Sequence, residues 1–144
     1  MEAVAYTHKH TVAFVEADPA GITHFSRYPL WVEEAETAFW REHGKTMPVV
    51  AVGGLEGWPK VSFSIRYRAP VRHNDEVIIS MRAEHTSSST LTWRFRITRG
   101  DTLCATGEMG VVYACGNPLK GELSSRPIPE ALLGIVKPFC IRSA

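Results

Sequence analysis

One long helical segment is followed by four segments of alternating polarity, and this order constrains the fold more than any other feature of the sequence. From about residue 26 to 43, apolar side chains recur at the 3.6-residue period of a helix. After a glycine-rich stretch the period drops to two, which is the period of a β-strand. The four alternating segments span residues 61–68, 76–85, 90–98 and 103–113. Short serine-rich and glycine-containing connections between them predict antiparallel hairpins.

The helical segment supplies the element that covers this sheet. Its apolar stripe comprises Tyr28, Trp31, Val32, Ala35, Ala38 and Phe39. We expect Thr23 or Ser26 to cap its start, Pro29 to lie in its first turn and Gly44 to end it. An antiparallel sheet with one apolar face must be covered on that face, and no other segment is long enough. With a first strand at residues 10–16, the predicted fold class is α+β, with five antiparallel strands and one long helix.

Two apolar side chains of the helix lie outside its stripe. Leu30 and Trp40 fall on the side that also carries Glu33 and Thr37. A helix with apolar residues beyond its core stripe is expected to contact apolar surface on both sides. This pattern predicts a homo-oligomer, a dimer or a tetramer, in which the second side meets another subunit.

The rest of the chain is organised simply. Several glycines and two prolines predict a loop over residues 46–59, and residues 127–136 are expected to form a short terminal helix. We find no internal repeat and no linker that could separate two domains. The whole chain, residues 1–144, is therefore predicted to fold as one domain.

Composition excludes several functional classes. Sixteen lysines and arginines against fifteen acidic residues give a net charge of +1, so no overall field attracts nucleic acid or an anionic membrane. No apolar run approaches the roughly 20 residues needed to cross a bilayer, and residues 1–10 lack the apolar centre of a signal peptide. Nothing resembles a P-loop or a dinucleotide-binding fingerprint, so no cofactor is expected.

Cysteine and histidine spacing gives no metal pattern. Cys104, Cys115 and Cys140 are an odd number at unrelated spacings, which predicts reduced thiols and a cytoplasmic location. His8 and His10 are two residues apart on an expected strand and so share a face. A metal site needs a third ligand that cannot be placed beside them, so no metal is expected.

The candidate chemistry lies in the turn that precedes the helix. Asp18 is followed by Pro19 and Gly21, and the helix begins a few residues later. The first N–H groups of a helix have no internal partner and carry a partial positive charge, so they can polarise a carbonyl oxygen. A carboxylate facing the same carbonyl carbon could attack it or activate a water molecule. Taken alone, these local features favour an aspartate that only caps its turn, because turn chemistry explains Asp, Pro and Gly without catalysis.

These residues carry a resemblance to a known family. The matching motifs are Asp18-Pro19-Ala20-Gly21-Ile22, the helix positions Tyr28, Trp31, Glu33, Glu34 and Ala35, then Gly57-Trp58-Pro59, Tyr67-x-Ala69-Pro70 and Asp75. Together they resemble the 4-hydroxybenzoyl-CoA thioesterase branch of the hotdog-fold superfamily, over about residues 8–115. The resemblance implies a hotdog fold, a sheet wrapped around one long helix, and a hydrolase acting on an acyl-CoA or carrier-bound thioester.

The resemblance also implies roles for individual residues. Asp18 matches the catalytic carboxylate of the family, as nucleophile or general base, and the backbone N–H of Phe25 matches its oxyanion donor. Glu33 falls where the family has an acidic residue facing the acyl pocket, although a charged helix position also suits a solvated face. The family often has tyrosine or histidine at position 25. His24, one residue earlier, could assist proton transfer, but a packing or substrate-contact role is favoured.

The sequence departs from the family where CoA phosphates are bound. Several members place a basic cluster at the hairpin between the segments 76–85 and 90–98, but this chain has Ser87, Ser88 and Ser89 there. Either other cations hold the nucleotide or the carrier is not free CoA. The candidate cations are Arg66, Arg68, Arg72, Arg94 and Arg96. Arginine suits bidentate phosphate contacts, and we expect Arg94 and Arg96, with the hairpin hydroxyls, to contact the carrier.

Two other functions are compatible with the same fold. A non-catalytic acyl-CoA or acyl-carrier binding protein would not need a carboxylate against the carbonyl group, so Asp18 argues against it. A hotdog hydratase or dehydratase needs a paired acid and histidine around the substrate. Glu16, Asp18 and His24 could supply such a pair only in a geometry that the sequence does not reveal. Thioester hydrolysis is therefore the leading prediction.

Overall fold

The computed structural model describes residues 4–47, 49–51 and 54–141, which form two antiparallel sheets and two α-helices. The strands are β1 (Tyr6–Thr11), β2 (Val49–Ala51), β3 (Gly54–Gly57), β4 (Lys60–Tyr67), β5 (Glu76–His85), β6 (Thr90–Arg99), β7 (Thr102–Val112), β8 (Ala114–Gly116) and β9 (Ser124–Ser125). The helices are α1 (Tyr28–Glu42) and α2 (Glu130–Val136). Short 3-10 turns lie at Phe14–Glu16, Phe25–Arg27, Pro118–Lys120 and Lys137–Phe139.

The main sheet has five antiparallel strands in the order β1-β5-β6-β7-β4. The pairs Arg82↔Arg94 and Phe95↔Gly107 fix the register of its centre. The inward positions of β5 and β6 are almost all buried and the outward ones are not, as expected for a sheet covered on one face. The predicted α+β class, with five antiparallel strands and one long helix, is confirmed.

Helix α1 packs on the apolar face of this sheet. Its predicted stripe residues are all buried, and Phe39 lies at the centre of the contact. The Phe39 ring meets Tyr6 at 5.2 Å and Trp93 at 5.1 Å, both edge to face. Pro29 lies in the first turn, where the helix needs no N–H donor. No helix in the described ranges is long and apolar enough to span a membrane.

The structure corrects the predicted first strand. Strand β1 ends at Thr11, and residues 14–16 form a 3-10 turn instead of a strand. Val12 is buried and its N–H donates to the Asp75 carbonyl at 2.9 Å, but Phe14 is 78% exposed. The apolar residues of this segment therefore belong to a turn and do not share a sheet face.

The predicted loop over residues 46–59 was also wrong in part. It contains β2 and β3, which join β8 and β9 in a second sheet with the order β2-β3-β8-β9. This segment buries Trp58, whose ring stacks on Trp40 at 5.4 Å. Trp40 is therefore covered within its own chain, whereas Leu30 stays 52% exposed. Of the two apolar residues outside the helix stripe, only Leu30 is therefore left to support the prediction that this side of the helix contacts another subunit.

Candidate active site

Asp18 lies at the tip of a small antiparallel loop that leads into helix α1. The Asp18 N–H donates to the Ile22 carbonyl at 2.8 Å, and Ala17 pairs with Thr23 one step below. Gly21 has a φ of 83°, a left-handed conformation that glycine adopts without strain. The turn chemistry inferred from proline and glycine therefore shapes a loop that holds Asp18 in front of the helix.

One oxygen of the Asp18 carboxylate caps its own turn. Its Oδ1 accepts a hydrogen bond from the Ala20 N–H at 2.8 Å. The side chain is half-buried, and no donor in the described part of the chain is bonded to the other oxygen, Oδ2. The capping role and a chemical role are thus compatible, because each uses a different oxygen atom.

The Asp18 side chain lines a cavity of about 400 Å³ beside the start of α1. The cavity is lined by Asp18, Ile22, Thr23, Phe25, Tyr28, Tyr67, Arg68, Ala69 and Pro70. Most of this lining is apolar or aromatic. A carboxylate in such a wall can face the carbonyl group of a substrate bound against the apolar side chains.

Phe25, at the start of the helix, lines the same cavity. Phe25 begins the 3-10 turn that continues into α1, and among the described residues no acceptor is bonded to its N–H. The Tyr67 hydroxyl donates to the Phe25 carbonyl at 2.9 Å, which holds the next peptide unit along the chain. An unpaired N–H at a helix start suits a developing oxyanion, and the oxyanion role that the resemblance implies for Phe25 stays a prediction.

His24 has a structural role in this structure. Its Nδ1 accepts from the Ser26 N–H at 3.2 Å and lies 2.7 Å from the Ser26 hydroxyl oxygen, so His24 caps the 3-10 turn. The two predicted caps do not cap this turn. Thr23 donates its hydroxyl to the Val71 carbonyl at 2.9 Å, and Ser26 lies inside the turn. His24 is exposed and does not line the Asp18 cavity. A role for His24 in proton transfer stays a prediction.

Glu33 lies at a second cavity, about 250 Å³ in volume, toward the other end of α1. Trp40, Trp58 and Lys60 line the same space, and we call it the Trp58 cavity. Glu33 is exposed at its rim. Within one chain the structure therefore does not bring Glu33 and Asp18 together, and the acyl-pocket role of Glu33 stays a prediction.

The Trp58 cavity contains a buried ion pair that sequence reasoning missed. Lys60 Nζ contacts Glu36 Oε1 and also donates to the Trp58 carbonyl at 3.1 Å. The Glu36 side chain is only 4% exposed. Burial raises the pKa of Glu36 although the Lys60 charge opposes the rise. The only signal in the sequence was that Glu36 lies one helical turn before Trp40.

The predicted carrier contacts divide into two groups. Ser87, Ser88 and Ser89 connect β5 to β6 at the end of the sheet opposite Asp18. Ser88 and Ser89 use their carbonyl oxygens to bind the N–H groups of Ile128 and Tyr113 at 2.8 Å each. These serines therefore hold the C-terminal segment in place and do not approach the Asp18 cavity of their own chain.

The arginines lie closer to Asp18. Arg66, Arg94 and Arg96 line a broad groove of about 740 Å³ on the outer face of the sheet. Arg94 is already paired with Glu84 and Glu108, at 3.0 and 3.4 Å. The groove shares strand β4 with the Asp18 cavity through Tyr67, and Arg68, which follows the strand, also lines that cavity. Arg72 lines neither space.

The described residues contain no group of three or more His, Cys, Asp or Glu side chains arranged to hold a metal ion. Cys104, Cys115 and Cys140 are all unpaired thiols. Burial raises the pKa of Cys104 and of Cys140, so neither thiol is activated as a nucleophile. Asp18 is the acidic side chain among the residues that line its cavity, and its catalytic role stays a prediction.

The five-stranded sheet around one long helix defines a class of protein, the hotdog-fold proteins. A sequence model described as the thioesterase superfamily matches residues 20–106, which is more than half of the chain. A 1,4-dihydroxy-2-naphthoyl-CoA hydrolase from Synechococcus sp. (strain CC9605) is 29% identical over 102 residues, covering 67% of this chain and 68% of the relative.

Solved structures agree on the architecture. A dynemicin thioesterase superposes with a TM-score of 0.84 at 22% identity, covering 96% of this chain and 99% of its own. A 1,4-dihydroxy-2-naphthoyl-CoA thioesterase from Synechocystis gives a TM-score of 0.79 at 19% identity, covering 92% of this chain and 96% of its own. The chain belongs to the thioesterase superfamily, so the prediction of a hotdog-fold thioester hydrolase is confirmed at the level of the family.

Proposed function

We propose that this protein hydrolyses an acyl-CoA thioester with Asp18 as its catalytic carboxylate. One observation carries the proposal: Asp18, which has an uncommitted carboxylate oxygen, and Phe25, which has an unpaired helix-start N–H, line the same cavity. Capping alone uses only Oδ1 and does not require the Phe25 N–H. The relative from Synechococcus is named for a CoA thioester, which supports CoA as the carrier.

The geometry supports a two-step hydrolysis. As general base, Asp18 takes a proton from a water molecule while the water oxygen bonds to the thioester carbon. The carbonyl electron pair moves to oxygen, and the Phe25 N–H stabilises the negative charge. The carbon–sulfur bond then breaks, the thiolate takes the proton from Asp18, and a carboxylic acid is released. As nucleophile, Asp18 would bond to the carbon itself while the carbon–sulfur bond breaks and the thiolate leaves. Water would then hydrolyse the resulting anhydride, which releases the acid, restores the Asp18 carboxylate and supplies the proton of the thiol.

The Trp58 cavity is the proposed acyl site. Its volume of about 250 Å³ accommodates an acyl group of one or two aromatic rings, and Trp58 and Trp40 offer flat apolar surface. Helix α1 separates this cavity from Asp18, because 15 helical residues extend about 22 Å. The two sites therefore combine only between subunits, in a homodimer or a homotetramer of dimers, with α1 of one chain beside α1 of the other.

The outer-face groove is the proposed contact for the phosphates of CoA. Arg66 and Arg96 lie on neighbouring outward positions, each beside Thr106 on β7. The groove continues along β4 toward the Asp18 cavity. A carrier lying along this strand would keep its charged end in solvent while the thioester reaches Asp18. The serine hairpin could contact the carrier only from the partner subunit.

Replacing Asp18 by asparagine tests the proposed catalysis. Asn keeps the Oδ1 acceptor for the Ala20 N–H, so the turn is retained while the charge is lost. We expect kcat to fall by at least about 100-fold, a typical effect of losing an acid–base or nucleophilic group. Thiol release from a panel of aromatic and aliphatic acyl-CoA thioesters measures it.

The matched control is Asp101→Asn, in the exposed hairpin between β6 and β7, which should leave kcat unchanged. An Asp18→Asn variant that hydrolyses its best substrate at nearly the wild-type rate would refute the assignment. Tight binding of the same thioesters without hydrolysis by the wild-type protein would instead identify a binding protein.

A further inference from the structure

The side chain of Glu16 connects three parts of the chain around the Asp18 loop: strand β1, the 3-10 turn and helix α1. It is 9% exposed, and its Oε1 accepts from the Ala13 N–H at 2.9 Å and lies 2.8 Å from His10 Nε2. Its other oxygen, Oε2, accepts from the indole N–H of Trp31 on α1. An ionised carboxylate only accepts, so all three neighbours are donors to Glu16.

The backbone of Glu16 forms the base of the same loop. Its carbonyl accepts from the His24 N–H at 2.9 Å, directly below the Ala17–Thr23 pair. Asp18 follows Glu16 by two residues, and Phe25 follows His24 by one. Glu16 therefore fixes both sides of the loop, the side that carries the carboxylate and the side that carries the unpaired N–H.

His10 extends this network from the turn to the outside of helix α1. While its Nε2 faces Glu16, its Nδ1 lies 3.2 Å from Glu34 Oε2, and His8 Nε2 lies 2.8 Å from the same oxygen. The His10 ring also packs on Trp31, with 5.0 Å between ring centroids. Strand β1, the 3-10 turn and α1 are thus joined through one histidine and two glutamates.

Burial by itself would raise the pKa of Glu16. The hydrogen bonds from Ala13, Trp31 and His10, together with the His10 charge, outweigh burial and hold that pKa below its usual range. Glu16 is therefore a carboxylate at neutral pH, and a side-chain amide could not replace it. One end of an amide carries N–H donors, which would face the donors of Ala13 or Trp31.

We infer that Glu16 and His10 are positioning residues, which hold the Asp18 carboxylate and the Phe25 N–H in the relative placement that thioester attack requires. This inference rests on the proposed role of Asp18. Neither residue lines the Asp18 cavity, so they act through the loop and not by touching the substrate. A misplacement of about 1 Å in such a site costs roughly 100-fold in rate, so a small movement of the loop is measurable.

Two substitutions of His10 separate positioning from general stability. The amide nitrogen of glutamine extends about as far as Nε2, so His10→Gln keeps a donor to Glu16. The amide nitrogen of asparagine extends only about as far as Nδ1, so His10→Asn loses that donor and keeps the one toward Glu34. Both variants lose the ring contact with Trp31 equally.

We expect His10→Asn and Glu16→Gln to lower kcat about tenfold while KM stays within about twofold. His10→Gln should keep kcat within about twofold of wild type. All proteins are assayed well below their melting temperatures, and Leu91→Val, in the core at the opposite end of the sheet, provides a variant with lowered stability only. The His10 pair keeps the test valid even if Glu16→Gln does not fold.

Equal kcat values for His10→Asn and His10→Gln would overturn the inference. It would also be overturned if Leu91→Val, with its melting temperature lowered as much as that of His10→Asn, lost the same factor in kcat. Asp18→Asn is measured in the same assay. If Asp18→Asn is inactive and the His10 variants are indistinguishable, the positioning role fails while the proposed function stands. If Asp18→Asn is active, the proposed function itself fails.

Discussion

The buried pair of Glu36 and Lys60 allows a quantitative test of the Trp58 cavity. Lys60→Met leaves the Glu36 carboxylate, 4% exposed, without its cation. Removing one partner of a buried pair costs about 3–5 kcal/mol. Because Lys60 is 33% exposed, water compensates part of the loss, and we expect about 3 kcal/mol. For a chain of this size that lowers the melting temperature by about 10 °C.

The pH dependence of this loss has a definite sign. Burial raises the folded-state pKa of Glu36 above the value of roughly 4.3 in an unfolded chain. In the pH range between those two values the folded state binds more protons, so stability is complete below the range and falls as pH rises through it. Without Lys60 the folded-state pKa rises further. The penalty of Lys60→Met should therefore be smaller at pH 5 than at pH 8.

Thermal and denaturant unfolding followed by circular dichroism measure both effects. The double variant Glu36→Met with Lys60→Met removes both charges, and its stability should return to within about 1 kcal/mol of wild type. Lys9→Met is the control, because its 3.5 Å pair with Glu76 is exposed and should contribute under about 1 kcal/mol. If Lys60→Met behaves like Lys9→Met, or costs the same at pH 5 and pH 8, the reasoning is wrong.

Two further predictions concern assembly and the carrier. Light scattering should give at least twice the chain mass of 16.0 kDa, and Leu30→Arg should shift the protein toward one chain; a wild-type monomer would contradict the shared site. Arg66→Ala or Arg96→Ala should raise KM for acyl-CoA severalfold at unchanged kcat, with a smaller effect at high salt. Arg94→Ala should do less, since two glutamates already hold its guanidinium, and silent arginine variants with a salt-independent KM would rule out the groove.

The sequence predicted well the elements in which the spacing of apolar residues matches the face that each element buries. Helix α1 and strands β4 to β7 each carry apolar residues at the period of the element. Strand β1 lies at a sheet edge and reads Tyr-Thr-His-Lys-His-Thr, with little apolar alternation, so the prediction shifted to the apolar turn that follows. Strands β2 and β3 are too short for a period and depend on pairing with β8, which lies far along the chain.

For the candidate site, too, the sequence could indicate neighbours that are close along the chain but not contacts between distant segments. That the turn of Asp18 lies beside the helix start could be predicted, because the two are within eight positions of each other. The catalytic roles of Asp18 and of the Phe25 N–H stay predictions. Glu36 and Lys60 are 24 residues apart, and nothing in either segment indicates that they meet. Glu16 was noted only as a possible acid, since its partners His10 and Trp31 come from a strand and a helix whose relative placement the sequence does not give.

The Asp18 cavity lies near the first turn of helix α1 and the Trp58 cavity lies toward its last turn. In the proposed dimer each active site combines the Asp18 cavity of one chain with the Trp58 cavity of the other. Two inactive variants can therefore complement each other. A chain with Asp18→Asn and a chain whose Trp58 cavity is filled by Thr37→Trp are each inactive as homodimers. In a mixed dimer one centre collects both defects and the other collects neither, so unfolding and refolding the two proteins together restores an activity that neither has alone.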